Sequence, residues 1–210
     1  LDTKRKKMLS YEESLKILKE TKALLDGHFI LSSGLHSAQY VQCAQLLGKP
    51  YKSADFCNSL AEKISKEFKE IDLIFSPAMG GIIIGYEIGR LLSKETIFSE
   101  RVDGEFKLRR DFKILKNSKV LIVEDVITTG KSSIECSKLA EVAGAEIIGF
   151  ACLIDRSNGN SKINKKIISQ IDLNIPTYEK DNLPKNLISI PAIKPGSREI
   201  KWVRQDLEWI

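Results

Sequence analysis

The segment VLIVEDVITTGKSS, Val120 to Ser133, sets four apolar residues before two adjacent carboxylates, Glu124 and Asp125. Val126 and Ile127 follow, then Thr128, Thr129, Gly130, Lys131 and Ser132, and after them a helical pattern. The apolar run, Val120 to Val123, reads as a buried parallel strand, and Val126 to Lys131 as a loop, with Ser132 entering the helix. Such a loop offers N–H groups and hydroxyls to a phosphate at the positive end of a helix dipole. In open α/β sheets, ligands bind beyond the carboxyl ends of strands, where this loop would lie. A triphosphate loop requires Gly five positions before Gly130, but Asp125 stands there, and its charge would repel a β-phosphate. A ligand carrying a sugar beside its phosphate removes that conflict. The two carboxylates can accept hydrogen bonds from vicinal sugar hydroxyls while the loop holds the phosphate.

The elements that must position these residues follow from periodicity. Ser10 to Leu25 reads as a helix, with Ser10 and Glu13 at capping-box spacing and Gly27 as its stop. FILSSGLHSAQYVQC suggests short strands around a turn at Ser32 to Gly34. A second helix is expected over about Lys52 to Phe68. Then strands alternate with helices: IDLIF, a loop SPAMGG, a helix from Ile82 to Leu92, and the strand TIFSE. Asp103-Gly104 marks a tight hairpin. KVLIV, a helix from Lys131 to Val142 ended by Gly144, and the strand EIIGFACLI complete the pattern. Such alternation predicts a doubly wound, mainly parallel α/β sheet, and residues 1–210 are read as one domain.

Composition narrows the function. With 210 residues, 42% of them apolar, the chain can bury one sizeable core. Lys and Arg exceed Asp and Glu by only 33 to 28, and the excess clusters just at Lys4 to Lys7 and at Lys107 to Lys113. The first cluster reads as a solvated tail, so no nucleic-acid partner is expected. No apolar run has the length of a membrane span, and the N-terminus lacks a signal-peptide core. The four cysteines form no C-x-x-C pair and there are only two histidines, which argues against a zinc cage. Cys43, Cys57, Cys136 and Cys152 are read as reduced, buried thiols of a cytoplasmic protein, and His28 and His36 as structural residues.

Two acidic residues after an apolar strand, followed by VITTGKS, resemble the phosphoribosyl-pyrophosphate signature of type I phosphoribosyltransferases. The resemblance to the orotate-using branch of that family covers most of the chain, through GHFILSSGLHSAQYVQCAQLL, SPAMGGIIIGYEIGR, ERVDGEFKLRRDF and LIDRS. It implies a small N-terminal hood over about 1–50, a core over about 51–160, and a hairpin loop. Residues Glu124 to Ser132 and Arg101 would bind phosphoribosyl pyrophosphate. Thr128 and Arg156 would contact orotate, and Ala78, Met79, Gly80 and Gly81 would form the pyrophosphate loop, here without the Lys other members carry. Asp125, Arg101 and Lys107 would serve catalysis. The implied reaction moves ribose 5-phosphate to N1 of orotate, giving orotidine 5′-monophosphate and pyrophosphate in pyrimidine biosynthesis. Mg²⁺ would arrive with the substrate rather than in a dedicated protein cage. The resemblance also implies a homodimer whose hairpin, projecting from the sheet, completes the neighbouring subunit's site. A purine phosphoribosyltransferase, or a non-catalytic sensor of phosphoribosyl pyrophosphate with the same fold, stays open at this point.

Overall fold

The computed structural model describes residues 8–31 and 33–195. The basic run Lys4 to Lys7, and Ser32 of the expected turn, lie outside the described residues.

A six-stranded sheet carries the chemistry, with order β5-β4-β3-β6-β7-β8. Its strands are β3 (Leu73–Pro77), β4 (Glu95–Val102), β5 (Glu105–Leu108), β6 (Lys119–Ile127), β7 (Glu146–Asp155) and β8 (Ile167–Asp172). All neighbours pair in parallel except β4 and β5, which form the antiparallel hairpin at the edge. Asp103 and Gly104 both take positive φ, 53° and 85°, as a two-residue turn of that kind needs. The hairpin does not project from the sheet. β5 extends it by one strand, Phe106 is buried, and Leu108 packs against the main core.

Helices cover both faces, as a parallel sheet requires. On one side, Phe75, Val120, Ile122, Phe150 and Cys152 meet Cys136 and Ala140 of α5 (Lys131–Val142). The other side takes α4 (Gly80–Leu92), with α3 (Pro50–Glu67) beside it. Gly81, Gly85 and Gly89 of α4 recur every fourth residue and meet Val123, Ser76 and Thr96, so the helix axis lies close on the strands.

The N-terminal helix α1 spans Tyr11–Glu20 and has the expected capping box between Ser10 and Glu13. It stops earlier than its hydrophobic pattern suggests. Thr21 caps it, Lys22 turns at φ 60°, and Leu24 and Leu25 open β1 (Leu24–Ile30), inside which Gly27 lies. A short helix, α2 (Cys43–Leu47), follows β2 (His36–Val41).

The chain divides into two compact units, one of residues 1–25 and 41–174 and one of 26–40 and 175–210. The second unit takes only the middle of the segment expected as a hood, and adds residues from the far end of the chain. Its β1 and β2 join β9 (Thr177–Tyr178) in a three-stranded sheet, with α6 (Lys185–Ile188) nearby in sequence. Phe29 bridges to Ile193, and Ile193 N–H donates to the carbonyl of His28. Both histidines are buried in this unit. His28 Nδ1 lies 2.9 Å from the Ile190 carbonyl, so that nitrogen carries the proton. Its Nε2 then accepts from His36 Nδ1 at 2.7 Å, which fixes both tautomers.

Candidate active site

The sheet order reverses direction between β3 and β6. From β3 the chain moves outward to β4, and from β6 it moves the opposite way to β7 and β8. Such a reversal leaves a crevice at the strands' carboxyl ends, because the two crossover helices go to opposite faces. Here it is deepened by unequal strand lengths. The β3–β6 rungs end at Phe75↔Ile122, whereas β6–β7 rungs run on to Ile127↔Asp155. Val126 and Ile127 are thus still strand, not loop as their sequence suggests, and Glu124 and Asp125 lie within β6. The loop proper is Thr128 to Gly130. One edge of the extended β6 faces the crevice.

Alternation along β6 sends the two carboxylates to opposite faces. Glu124 turns toward α5, where the hydroxyl of Ser133 donates to its Oε2. Burial pushes its pKa up from 4.5 to about 7; the neighbouring Asp125 adds to the rise, while the Ser133 bond and the charge of Arg101 oppose it. Asp125 turns toward α4, and both its oxygens stand 2.6 Å from where a Cβ on Gly80 would be. Gly80 is therefore the residue that lets α4 start against this carboxylate. Burial raises the pKa of Asp125, an effect its bonds to backbone N–H, including that of Val126 at 2.9 Å, partly offset. Strand geometry thus makes the two carboxylates flank the strand end.

Two helix starts open on this point. α5 begins after Gly130, whose φ of 76° turns the chain and whose missing side chain leaves the helix without a side-chain cap. A Cβ there would meet Ile163 Cγ1 at 2.7 Å, so the turn is both left-handed and tightly covered. Thr128, Thr129 and Lys131 are exposed around it, and Ser132 is half-buried. The Thr129 carbonyl is held by Lys162 N–H at 3.0 Å. Facing it, α4 begins at Gly80, two residues earlier than periodicity indicated. Of the expected loop donors, Ala78 N–H is already taken by the Ser99 carbonyl at 2.8 Å. Met79, Gly80 and Gly81 supply the remaining N–H groups, which the first turn of a helix leaves without intrahelical acceptors.

Arg156 follows the last residue of β7, and its N–H donates to Ile127 O at 2.8 Å, which brings it next to Thr128. Its guanidinium charge also reaches Cys43, whose thiol donates to the Asp125 carbonyl at 3.8 Å. The four cysteines are free and buried, and burial pushes all four thiols up, that of Cys57 to about 12. Thiol nucleophilicity needs the opposite shift.

The basic hairpin separates into unlike parts. Arg101 joins Glu135 of α5 through Nη2 and stacks on Phe106. Lys107, expected to work with Arg101, pairs in register with Glu100 and so stands on the hairpin's other face. Arg110 forms a two-pronged bond to Glu100 at 2.9 and 3.1 Å, a structural pair. Glu135 carried no signal in the sequence reading, although its place four residues after Lys131 put it on the same face of α5.

Hard oxygen donors at the strand end suit Mg²⁺. Among the described residues no three His, Cys, Asp or Glu side chains converge as a metal cluster. Glu124 and Asp125 leave β6 on opposite faces, so they present separate oxygen donors and not a shared protein cage for an ion. No helix among the described residues is long and apolar enough to cross a membrane.

Comparison with known proteins gives the family. The family model described as phosphoribosyl transferase domain matches residues 50–181. A curated protein from Parvibaculum lavamentivorans, named orotate phosphoribosyltransferase, is 48% identical over 193 residues, 91% of this chain and 100% of that protein. A protein of the same name from Rhizorhabdus wittichii is 47% identical over 188 residues, 89% of this chain and 96% of its own. The crystal structure of orotate phosphoribosyltransferase from Aeropyrum pernix shares the fold, with a TM-score of 0.66, 24% identity, and coverage of 75% of this chain and 92% of that one. On the family-model match and these relatives, the chain belongs to the phosphoribosyl transferase domain family.

Proposed function

We propose that the protein transfers ribose 5-phosphate from phosphoribosyl pyrophosphate to N1 of orotate, yielding orotidine 5′-monophosphate and pyrophosphate in pyrimidine biosynthesis. The observation that carries this reading is the placement of Asp125 and Glu124 at the end of β6, between the N-termini of α4 and α5. The 5′-phosphate sits on Thr128 to Ser132, where hydroxyls and helix N–H groups converge. The pyrophosphate lies against Met79, Gly80 and Gly81, with Arg101 nearby. Orotate takes Arg156 and Thr128, because a planar carboxylate suits a forked guanidinium.

In the reaction the C1′–O bond to pyrophosphate breaks, its electron pair leaves with that group, the orotate N1 lone pair forms the new bond to C1′, and the N1 proton is released to the leaving diphosphate. Positive charge grows on the sugar while negative charge grows on the leaving group. Asp125 faces the first and Arg101 the second, so charge is met by fixed groups rather than by reorganising water. No covalent nucleophile is required. Mg²⁺, when bound, neutralises part of the diphosphate charge.

Supporting a homodimer is a stripe along α4, where Ile83 and Tyr86, with Met79 just before the helix, are 54%, 66% and 83% exposed on one face. A second copy of the chain related by a twofold would cover both stripes at once. Four buried free thiols suit a reducing cytoplasm.

The test is orotate consumption, followed by its ultraviolet absorbance with donor and Mg²⁺ present. Conversion of orotate with no turnover of adenine, guanine or hypoxanthine is expected. Turnover of a purine with orotate inert would refute the assignment, and binding of the donor without any turnover would point to a sensor.

A further inference from the structure

Ser133 stands in the first turn of α5 with none of its surface exposed. A buried hydroxyl on a helix can return its proton to a carbonyl of that helix. Ser14 does so to Ser10 O at 2.8 Å, Thr21, which caps α1, to Ile17 O at 2.7 Å, and Ser137, one turn further along α5, to Ile134 O at 3.0 Å. Ser133 turns away from its own helix instead and donates to Oε2 of Glu124 on β6. The carbonyl four residues before it, that of Thr129, is held by Lys162 N–H at 3.0 Å. The first intrahelical bond of α5 runs from Ile134 N–H to Gly130 O at 2.9 Å, so the N–H groups of Ser132 and Ser133 precede it. One residue therefore has its backbone among the donors of the phosphate loop and its side chain on the acidic pair.

Resting on the transferase reading above, we infer that Ser133 is a positioning residue that fixes Glu124 to meet a sugar hydroxyl of a ligand whose phosphate lies on the start of α5. The two carboxylates need unequal help. Asp125 is short, and Val126 N–H holds it at 2.9 Å. Glu124 has one more torsion, and its freedom is lost on ligand binding unless the protein has already removed it. A proton aimed at Oε2 removes it and leaves Oε1 to accept from the ligand, since a carboxylate accepts at both oxygens. Packing alone does not ask for the hydroxyl, because alanine fits where serine does and forms helix better.

The experiment compares Ser133→Ala, Ser133→Thr, Ser133→Cys, Glu124→Ala and the double variant Ser133→Ala/Glu124→Ala. Calorimetric titration with ribose 5-phosphate and with inorganic phosphate probes the same cradle with and without sugar hydroxyls. Ser133→Ala is expected to weaken ribose 5-phosphate about tenfold and inorganic phosphate less than about twofold. Ser133→Thr keeps the hydroxyl and should recover most of the loss. Ser133→Cys, a weaker donor, should fall between, and it carries the test should the alanine variant not fold. In the Glu124→Ala background, Ser133→Ala should add nothing further. In turnover, the loss should appear in the KM for phosphoribosyl pyrophosphate and spare that for orotate. Equal weakening of the two titrants would make Ser133 a prop of the helix start and overturn the role. So would an unchanged affinity for ribose 5-phosphate, or equal losses with and without Glu124. A parent protein inert toward orotate would refute the transferase function instead, and the two titrations would still judge Ser133.

Discussion

Gly80→Ala isolates the contact between the start of α4 and Asp125. Gly80 has no left-handed φ, so alanine suits its backbone, and as a better helix former it gains up to about 1 kcal/mol. The obstacle is the carboxylate alone. The new Cβ would lie 2.6 Å from both Oδ1 and Oδ2 of Asp125. Relief needs a movement of about 0.8 Å to reach ordinary contact. Rotating the carboxylate away breaks its 2.9 Å bond from Val126 N–H, which costs about 1.5–3 kcal/mol for a charged acceptor. The helix gain offsets part of this, leaving a net loss of about 0.5–2 kcal/mol, so the melting temperature should fall by several degrees at most. Activity should fall further. A displacement of that size at a reacting centre costs up to about 100-fold in rate, or roughly 2.7 kcal/mol of barrier. Orotate absorbance gives kcat and KM, and circular dichroism gives the melt. Activity within about threefold of the parent would refute the placement of Asp125 as decisive. So would an equal fold-loss when Gly80→Ala is made on Asp125→Asn, since the amide would already have removed the charge being misplaced.

Glu124 predicts a pH effect on stability. Its pKa rises from 4.5 to about 7 on folding, so the folded state holds the proton more tightly. The stability gained is full below 4.5 and is lost as pH climbs through 7, an interval corresponding to roughly 3 kcal/mol. Glu124→Gln should therefore melt higher than the parent at pH 8 and alike at pH 4, and parallel profiles would refute the assignment. Arg156→Ala should weaken orotate by about 2–4 kcal/mol while sparing the donor, because the ligand carboxylate loses its charged partner. Calorimetry showing equal loss of both ligands would make Arg156 structural. Ile83→Glu, placed in the exposed stripe of α4, should turn the proposed homodimer into a monomer by light scattering; an unchanged mass would remove that face from the interface.

Strands that repeat apolar residues were legible at once. KVLIV and EIIGFACLI became β6 and β7, and the helix from Lys131 to Val142 has the bounds its pattern gave. The capping box at Ser10 and the Asp103-Gly104 turn were equally clear, because both are local hydrogen-bond or dihedral requirements. What depends on distant partners was not. Leu24 and Leu25 continue a helical stripe but are strand, since β2 supplies a neighbour that local periodicity cannot see. β6 runs to Ile127 because β7 is long enough to pair with it, so residues with loop composition became strand. In the site, residue types were readable and directions were not. Asp125 facing Gly80, Lys107 facing away from Arg101, and Glu135 between two cations each follow from pairing register or helix packing. The Ala78 N–H was likewise expected for the ligand, but β4 claims it through Ser99.

The joint between β3 and β6 also bears on how the site comes into being. It couples Leu73 to Val120, residues far apart in the chain, whereas the hairpin of β4 and β5 pairs across a two-residue turn. Closing the longer loop is the more costly step in chain entropy, and contacts of that range form slowly. The carboxylates stand just past the last rung of this joint. Each half of the sheet can gather its own crossover helix, yet neither half alone has both helix starts and the acidic pair. Catalytic competence is therefore a property of the seam. It arises when the seam zips during folding and disappears with its opening, even while the hairpin and the β6–β7 ladder persist.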